Sequence, residues 1–240
     1  MKNIFLFVVF SSLSFIVKAQ TKYSTSCHFG TTISNMTGAG AQNETFLNGT
    51  TPENFYANHP ASSLSKLGVN FGITVDNQFS KYFSIGVGLG FIQKGAKIKL
   101  IDRWNSVKKI YQTISGKTHW NQNFLRIHTP LKLHIPIKRH KIYLKTAFSI
   151  DKLLSSKEKG DIQIAGQNFI YENEISNANS IEYCYEVGAG FVWNLANMKN
   201  GISFEANWGK SMLSTGREFD GANLGLSYNQ TFSFLLAFSL

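Results

Sequence analysis

Past its N-terminal leader, this chain has no long hydrophobic run. No later stretch approaches the ~18 consecutive apolar residues of a membrane-crossing helix, so any further crossing must be made by strands. A bilayer offers no partner to unpaired backbone groups, so such strands would have to close on themselves. Charge is also scarce, at 16% of residues, against about 25% in an ordinary soluble domain. Acids are scarcer than bases, 14 against 24. There are two cysteines, Cys27 and Cys184. They lack metal-ligand spacing, and they are expected at the starts of the first and sixth strands, at opposite ends of the fold. That predicts two free thiols.

The leader has a positive residue, Lys2, an apolar core over residues 4–17 and the tripeptide Val17-Lys18-Ala19 before Gln20. This is the pattern of a secretory signal peptide, residues 1–19, cut after Ala19. It leaves one domain, residues 20–240, which is 240 − 19 = 221 residues long. Without Lys2 and Lys18 the balance is 22 basic to 14 acidic residues, a net charge of +8. Such an excess serves solubility or attracts anionic lipid head groups.

What the chain does have is aromatics, at 14%, and strict alternation. Over residues 67–76, Leu67, Val69, Phe71, Ile73 and Val75 share one face, with Gly68, Asn70, Gly72, Thr74 and Asp76 opposite. Over 83–91, Phe83, Ile85, Val87, Leu89 and Phe91 oppose Ser84, Gly86, Gly88 and Gly90. A period of two means strands, because successive side chains leave a strand on opposite faces. Six further strands read the same way, at 23–34, 124–137, 142–150, 181–195, 202–209 and 226–240. Polar segments at 35–65, 153–179 and 213–223 read as long loops, the second with room for a short extra hairpin through Ile162 to Tyr171, and 77–81, 138–141 and 196–201 read as short turns. Past Phe91 the alternation carries a polar outer face, Lys94, Lys97, Lys99, Arg103, Lys108 and Lys109, in a hairpin tipped near 102–107.

Long and short connections therefore alternate, with all the short ones on the side of the termini. The expected fold is all-β: an eight-stranded antiparallel up-and-down transmembrane β-barrel with short periplasmic turns and long extracellular loops. Trp193, Tyr82 and Phe238 would form one aromatic girdle, and Tyr183, Tyr185, Trp208 and Tyr228 the other. Arg126, Lys132 and Lys145 face inward on strands four and five; Glu182, Glu186 and Glu205 do so on strands six and seven. An eight-stranded interior is just wide enough for side chains to fill, so these six predict an internal ion-pair network and a plugged lumen. The glycine faces of strands three and six would make room for it.

Reactive constellations are weak. His128 and His134 fall on an inward, charged face. The run Gly86-Val-Gly-Leu-Gly90 has no following helix to cradle a phosphate. No cofactor or metal is expected, and nucleic acid is not a plausible partner for an exported chain. Lys94, Lys97, Lys99, Arg103, Lys108 and Lys109 are candidates for contact with lipopolysaccharide phosphates; a solvated basic loop is the plain alternative.

The leader, the hairpin GVNFGITVDNQFSKYFSIGVGLGFIQKG, the strand NFLRIHTPLKL and the last strand NQTFSFLLAFSL together resemble the PorT-like outer-membrane β-barrel family. The resemblance covers nearly the whole mature chain as a pattern of hairpins, with Pro130 in the family's aromatic-hydrophobic-Pro segment. It departs from the pattern at its last residue, Leu240, where such strands often end in an aromatic. It implies an outer-membrane location, and a secretion role for some members. The reading is a monomeric, non-enzymatic outer-membrane barrel. Its partners would be outer-membrane lipid and lipopolysaccharide, with an envelope or secretion-system protein as a further partner. The alternatives are a lipid A-modifying enzyme and a soluble lipocalin-like carrier.

Overall fold

The computed structural model describes residues 22–59, 61–105, 110–175, 178–194, 201–214 and 226–239. The signal peptide and its cleavage site lie outside the described residues, as do Lys108 and Lys109. The strands are β1 (Lys22–Thr37), β2 (Glu44–Asn48), β3 (Tyr56–Ala57), β4 (Lys66–Gln78), β5 (Phe83–Asn105), β6 (Ile110–Ile137), β7 (His140–Ile164), β8 (Gln167–Glu174), β9 (Ile181–Asn194), β10 (Gly201–Ser211) and β11 (Tyr228–Ser239). The one helical element among the described residues is a short 3-10 turn, Pro52–Asn54, so none is long and apolar enough to cross a membrane.

Eight strands hydrogen-bond in a closed ring, β1-β4-β5-β6-β7-β9-β10-β11, and each neighbour pair is antiparallel. The ring closes where β1 meets β11, with Phe29 opposite Leu236 and Thr31 opposite Phe234. Its outer surface is apolar. Leu67 is 69% exposed, Val87 60% and Phe234 50%, and such residues recur on every ring strand. An apolar surface of this extent does not survive in water on a monomeric protein. The polar phase points inward: Thr32, Asn70, Ser149, Glu186, Asn207 and Thr231 are all buried. This polarity is the reverse of a lipocalin, whose apolar face lines the interior, and removes the soluble-carrier alternative.

Two glycine positions on the inner wall are explained by close approach. A side chain at Gly88 would run into the His128 ring, and one at Gly190 into the Tyr143 ring. The glycine faces thus accommodate rings from the neighbouring strands, rather than long side chains crossing from the far wall.

The segments expected to be loops are largely folded. Besides the hairpin read at 94–115, in which β5 and β6 stay paired far above the apolar band to Asn105 and Ile110, two of these loops carry strands. β7 continues to Ile164, turns through Ala165 and Gly166, and returns as β8. The 35–65 segment contains β2, the 3-10 turn and β3. β2 pairs with β5 in parallel, with Glu44 opposite Lys99, which is the exception to an all-antiparallel sheet. These pieces form a lobe with its own core of Leu47, Phe55, Ala57, Ile98, Leu100, Ile114, Ile162, Ile164 and Tyr171. A second cluster, Met36, Ala61, Ala96 and Trp120, sits where the lobe joins the ring. The chain folds here because the inward phase changes character. Within the band it is polar; above it, Ala96, Ile98 and Leu100 of β5 make it apolar.

Candidate functional site

Inward side chains of six ring strands build one ladder of charges along the interior. Nearest the termini, Lys132 of β6 pairs with Asp76 of β4 at 2.7 Å. Next, Lys145 of β7 pairs with Glu205 of β10, which also accepts the Tyr143 hydroxyl at 2.7 Å. Lys145 leans toward Glu186 of β9 as well, at 3.8 Å. Arg126 of β6 pairs with Glu186 and grips Asp151 of β7 with two bonds, Nε to Oδ1 at 2.9 Å and Nη2 to Oδ2 at 2.8 Å. The planar guanidinium suits this paired geometry.

The ladder ends at Lys94 of β5. Its ammonium lies 2.6 Å from Asp151 and 2.9 Å from Glu182, and over the Phe124 ring at 4.7 Å. Glu182 in turn accepts Asn229 Nδ2 at 2.7 Å, and the same amide donates to Gln122 at 2.9 Å. Side chains of Lys94, Asp151 and Glu182 are about 1% exposed or less. Charges this far from water hold only when paired and hydrogen-bonded, and each of the three is.

All six residues expected in the lumen, Arg126, Lys132, Lys145, Glu182, Glu186 and Glu205, stand in this ladder. Lys94 corrects an expectation. It is not on the outer face but is the most buried cation of the lumen, because it keeps the phase of Gly88, Gly90 and Ile92. Asp76 and Asp151 are ladder members that sequence reasoning missed. The signal for Asp151 was present: the inward phase Tyr143, Lys145, Ser149 reaches it in one more step.

Of the remaining basic candidates, Lys97 and Lys99 point outward above the band, and Lys99 pairs with Glu44 at 2.6 Å. Arg103 is spent inside the lobe. It donates to the carbonyls of Gly49 at 3.1 Å and Thr50 at 2.6 Å and covers the Phe55 ring. Cys27 and Cys184 are free thiols.

Asp151, Glu182 and Cys184 place ligand atoms within 4.8 Å of one another. The Lys94 ammonium sits among them, 3.3 Å from the Cys184 sulfur, in the place a divalent ion would need. His128 contacts the Thr74 hydroxyl at 3.2 Å inside the lumen, and His134 contacts the Ser84 hydroxyl at 2.8 Å on the wall of the basin toward the termini. The ladder leaves a cavity of about 50 Å³ beside His28, His128 and Glu186. An open basin of about 740 Å³ lies toward the termini, between Lys22, Lys132, Lys141 and Asp76.

Comparison with known proteins agrees with this geometry. The family described as the outer membrane protein beta-barrel domain matches residues 18–209. No curated protein matches the sequence. Among solved structures, the chain is similar to neisserial surface protein A (NspA), with 9% identity, 90% of this chain and 97% of that one covered, and a TM-score of 0.40. It is also similar to Ail, the attachment invasion locus protein of Yersinia pestis, with 12% identity, 91% and 99% covered, and a TM-score of 0.35. By the family match over most of its length, the chain belongs to the outer membrane protein β-barrel domain family.

Proposed function

We propose that this protein is a non-enzymatic integral outer-membrane barrel with a plugged lumen, whose folded lobe is its interaction surface on the outside of the cell. The observation that carries this is the ladder itself. From Asp76–Lys132 to Lys94–Glu182 it fills the bore with paired charges and leaves room for only a few waters, on the scale of about 10–15 Å³ of cavity each. A bore packed this way has no path for a solute and no site for chemistry. The imidazoles of His128 and His134 are engaged within the lumen, which is the argument against lipid A modification; catalysis on a lipid needs a reactive group at the outer rim. Lys22, Ser239 and the turns at 79–82 and 138–139 lie at the opposite end from the lobe, so export leaves them on the periplasmic side. The PorT-like hairpin pattern and a secretion-accessory role belong to this same proposal.

The test has two parts. The purified chain in detergent should migrate faster before boiling than after, as a folded barrel does. In a planar bilayer it should give no porin-sized conductance steps. Release from membranes by salt alone would refute the barrel, and large steady conductance would refute the plug. A changed acylation pattern of lipid A in a deletion strain would favour the enzyme.

A further inference from the structure

A second charge cluster lies on the outer face at the base of the lobe, apart from the lumen. β5 and β6 continue upward in register, with Lys97 opposite His119 and Lys99 opposite Lys117. On β7, Lys159 stands opposite His119. Leu64, just ahead of β4, bridges to Lys97, while Lys66 at the start of β4 is buried, in the inward phase of Gly68 and Asn70. Like charges directly opposite on adjacent strands are destabilising, with Cβ atoms ~4.5–5.5 Å apart. The lobe relieves some of its cations: Glu44 pairs with Lys99 at 2.6 Å and Glu172 with Lys157 at 2.9 Å. Among the described residues no ion pair includes Lys66, Lys97, Lys117, Lys159 or His119. Asp161 faces Lys117 in register from β7, yet no ion pair joins them. Glu172 stands opposite Lys159 in register from β8, but its ion pair is with Lys157. His119, well above the apolar band, is held below the ordinary imidazole range by its burial and then by Lys97, Lys66 and Lys117.

The height of the cluster identifies its partner. Leu67 is outward and apolar, and Leu64, at the level of Lys97, is three residues further up the chain direction of β4. Three residues span about 10 Å of strand, or roughly 7 Å of height at a ~45° tilt. The head-group layer adds about 5–7 Å to each side of the hydrocarbon. Lys97 and His119 therefore stand in the layer where lipid phosphates lie, with Lys117 two residues above them.

From this placement we infer that Lys97, Lys117 and His119 bind a phosphate-bearing lipid head group of the outer leaflet. The inference rests on the membrane-spanning reading above and adds a partner to it. The phosphate supplies the anion that the cluster lacks, and its acyl chains lie along the outward apolar face of β4 and β5.

The experiment places the full chain in phosphatidylcholine nanodiscs doped with lipid A, and follows lipid A retained through detergent exchange by native mass spectrometry. The wild type should retain it. The double variant Lys97→Gln/Lys117→Gln should retain at least tenfold less, and Lys157→Gln, whose partner is Glu172, should behave as wild type. Retention undiminished in the double variant, or an equal loss in Lys157→Gln, overturns the site. Full displacement by inorganic phosphate would mean a free-anion site instead. An acidic peptide that competes as well as lipid A would also overturn it. Heat-modifiable migration is checked on each variant. A variant that still shifts but keeps lipid A sinks only this site, whereas a wild-type chain that never shifts sinks the barrel.

Discussion

At the residue scale, the lumen separates the removal of a charge from the removal of a pair. Lys94 serves two carboxylates at once. Replaced by Met, which matches its length, it leaves Asp151 still held by Arg126, and Glu182 with no cation, held by the Asn229 amide and a long contact from the Cys184 thiol at 4.0 Å. Breaking a buried pair by removing one partner typically costs about 3–5 kcal/mol, while replacing both partners with neutral groups is often close to neutral. Lys94→Met should therefore lower the free energy of unfolding, measured by urea titration in detergent, by an amount in that range, and Lys94→Met/Glu182→Gln should recover more than half of the loss. If the double variant were no better than the single, Glu182 would not be the group left stranded, and the ladder as drawn would be wrong at its upper end.

At the element scale, the structure inverts the hydrophobic phase partway along a single strand. In β5 the apolar residues are outward up to Phe91, and from Ala96 the apolar ones are inward at Ala96, Ile98 and Leu100. Lipid is outside the first part, and a private core is inside the second. Lys94 lies between the two regimes, which is why a reading of the outer-face lysines as one series misplaces it. In β7 the pairing slips between Ser155 and Leu153, so the inward phase passes from Asp151 to Ser156 and Glu158, and no fixed period of two predicts that. The ring was legible because each of its strands keeps one phase over its whole width. Of the lobe only its two hairpins, near 162–171 and 102–107, were legible; β2 and β3 were not, because they are short and mixed in composition, and take their shape from what they pack on. The joint between them is Glu158. Its Oε1 accepts the Tyr171 hydroxyl at 2.6 Å, the Ala57 amide at 2.8 Å and the Thr118 hydroxyl at 3.0 Å, tying β8, β3 and β6 to β7. An unsatisfied buried donor costs about 1–3 kcal/mol. Glu158→Ala should accordingly raise amide exchange at Ala57 and across β8 by tenfold or more, with β9 to β11 unchanged. Exchange rising equally in the ring strands would show that the lobe and ring unfold as one unit.

At the scale of the whole molecule, two bodies are stacked on shared strands, and their stabilities come from different sources. The ring closes on its own ladder, and its apolar exterior is satisfied by lipid. The lobe depends on a water-excluded cluster to which β5 and β6 contribute Ile98, Leu100 and Ile114. Cutting the shared hairpin short tests that division. Lys97 and His119 oppose each other in register, so an Asn-Gly turn in place of residues 98–118 closes β5 and β6 with the two-residue loop that antiparallel strands favour. It removes the strand on which β2 pairs, three of the nine residues of the lobe core, and the Thr118 donor to Glu158. It leaves every ion pair of the lumen ladder in place. The shortened chain should keep the heat-modifiable shift of the intact protein, while residues 44–59 and 157–174 become sites of protease cleavage. Loss of the shift would mean that the ring needs the lobe to close, and the extracellular hairpins would then be part of the barrel's own folding unit rather than a platform built on it.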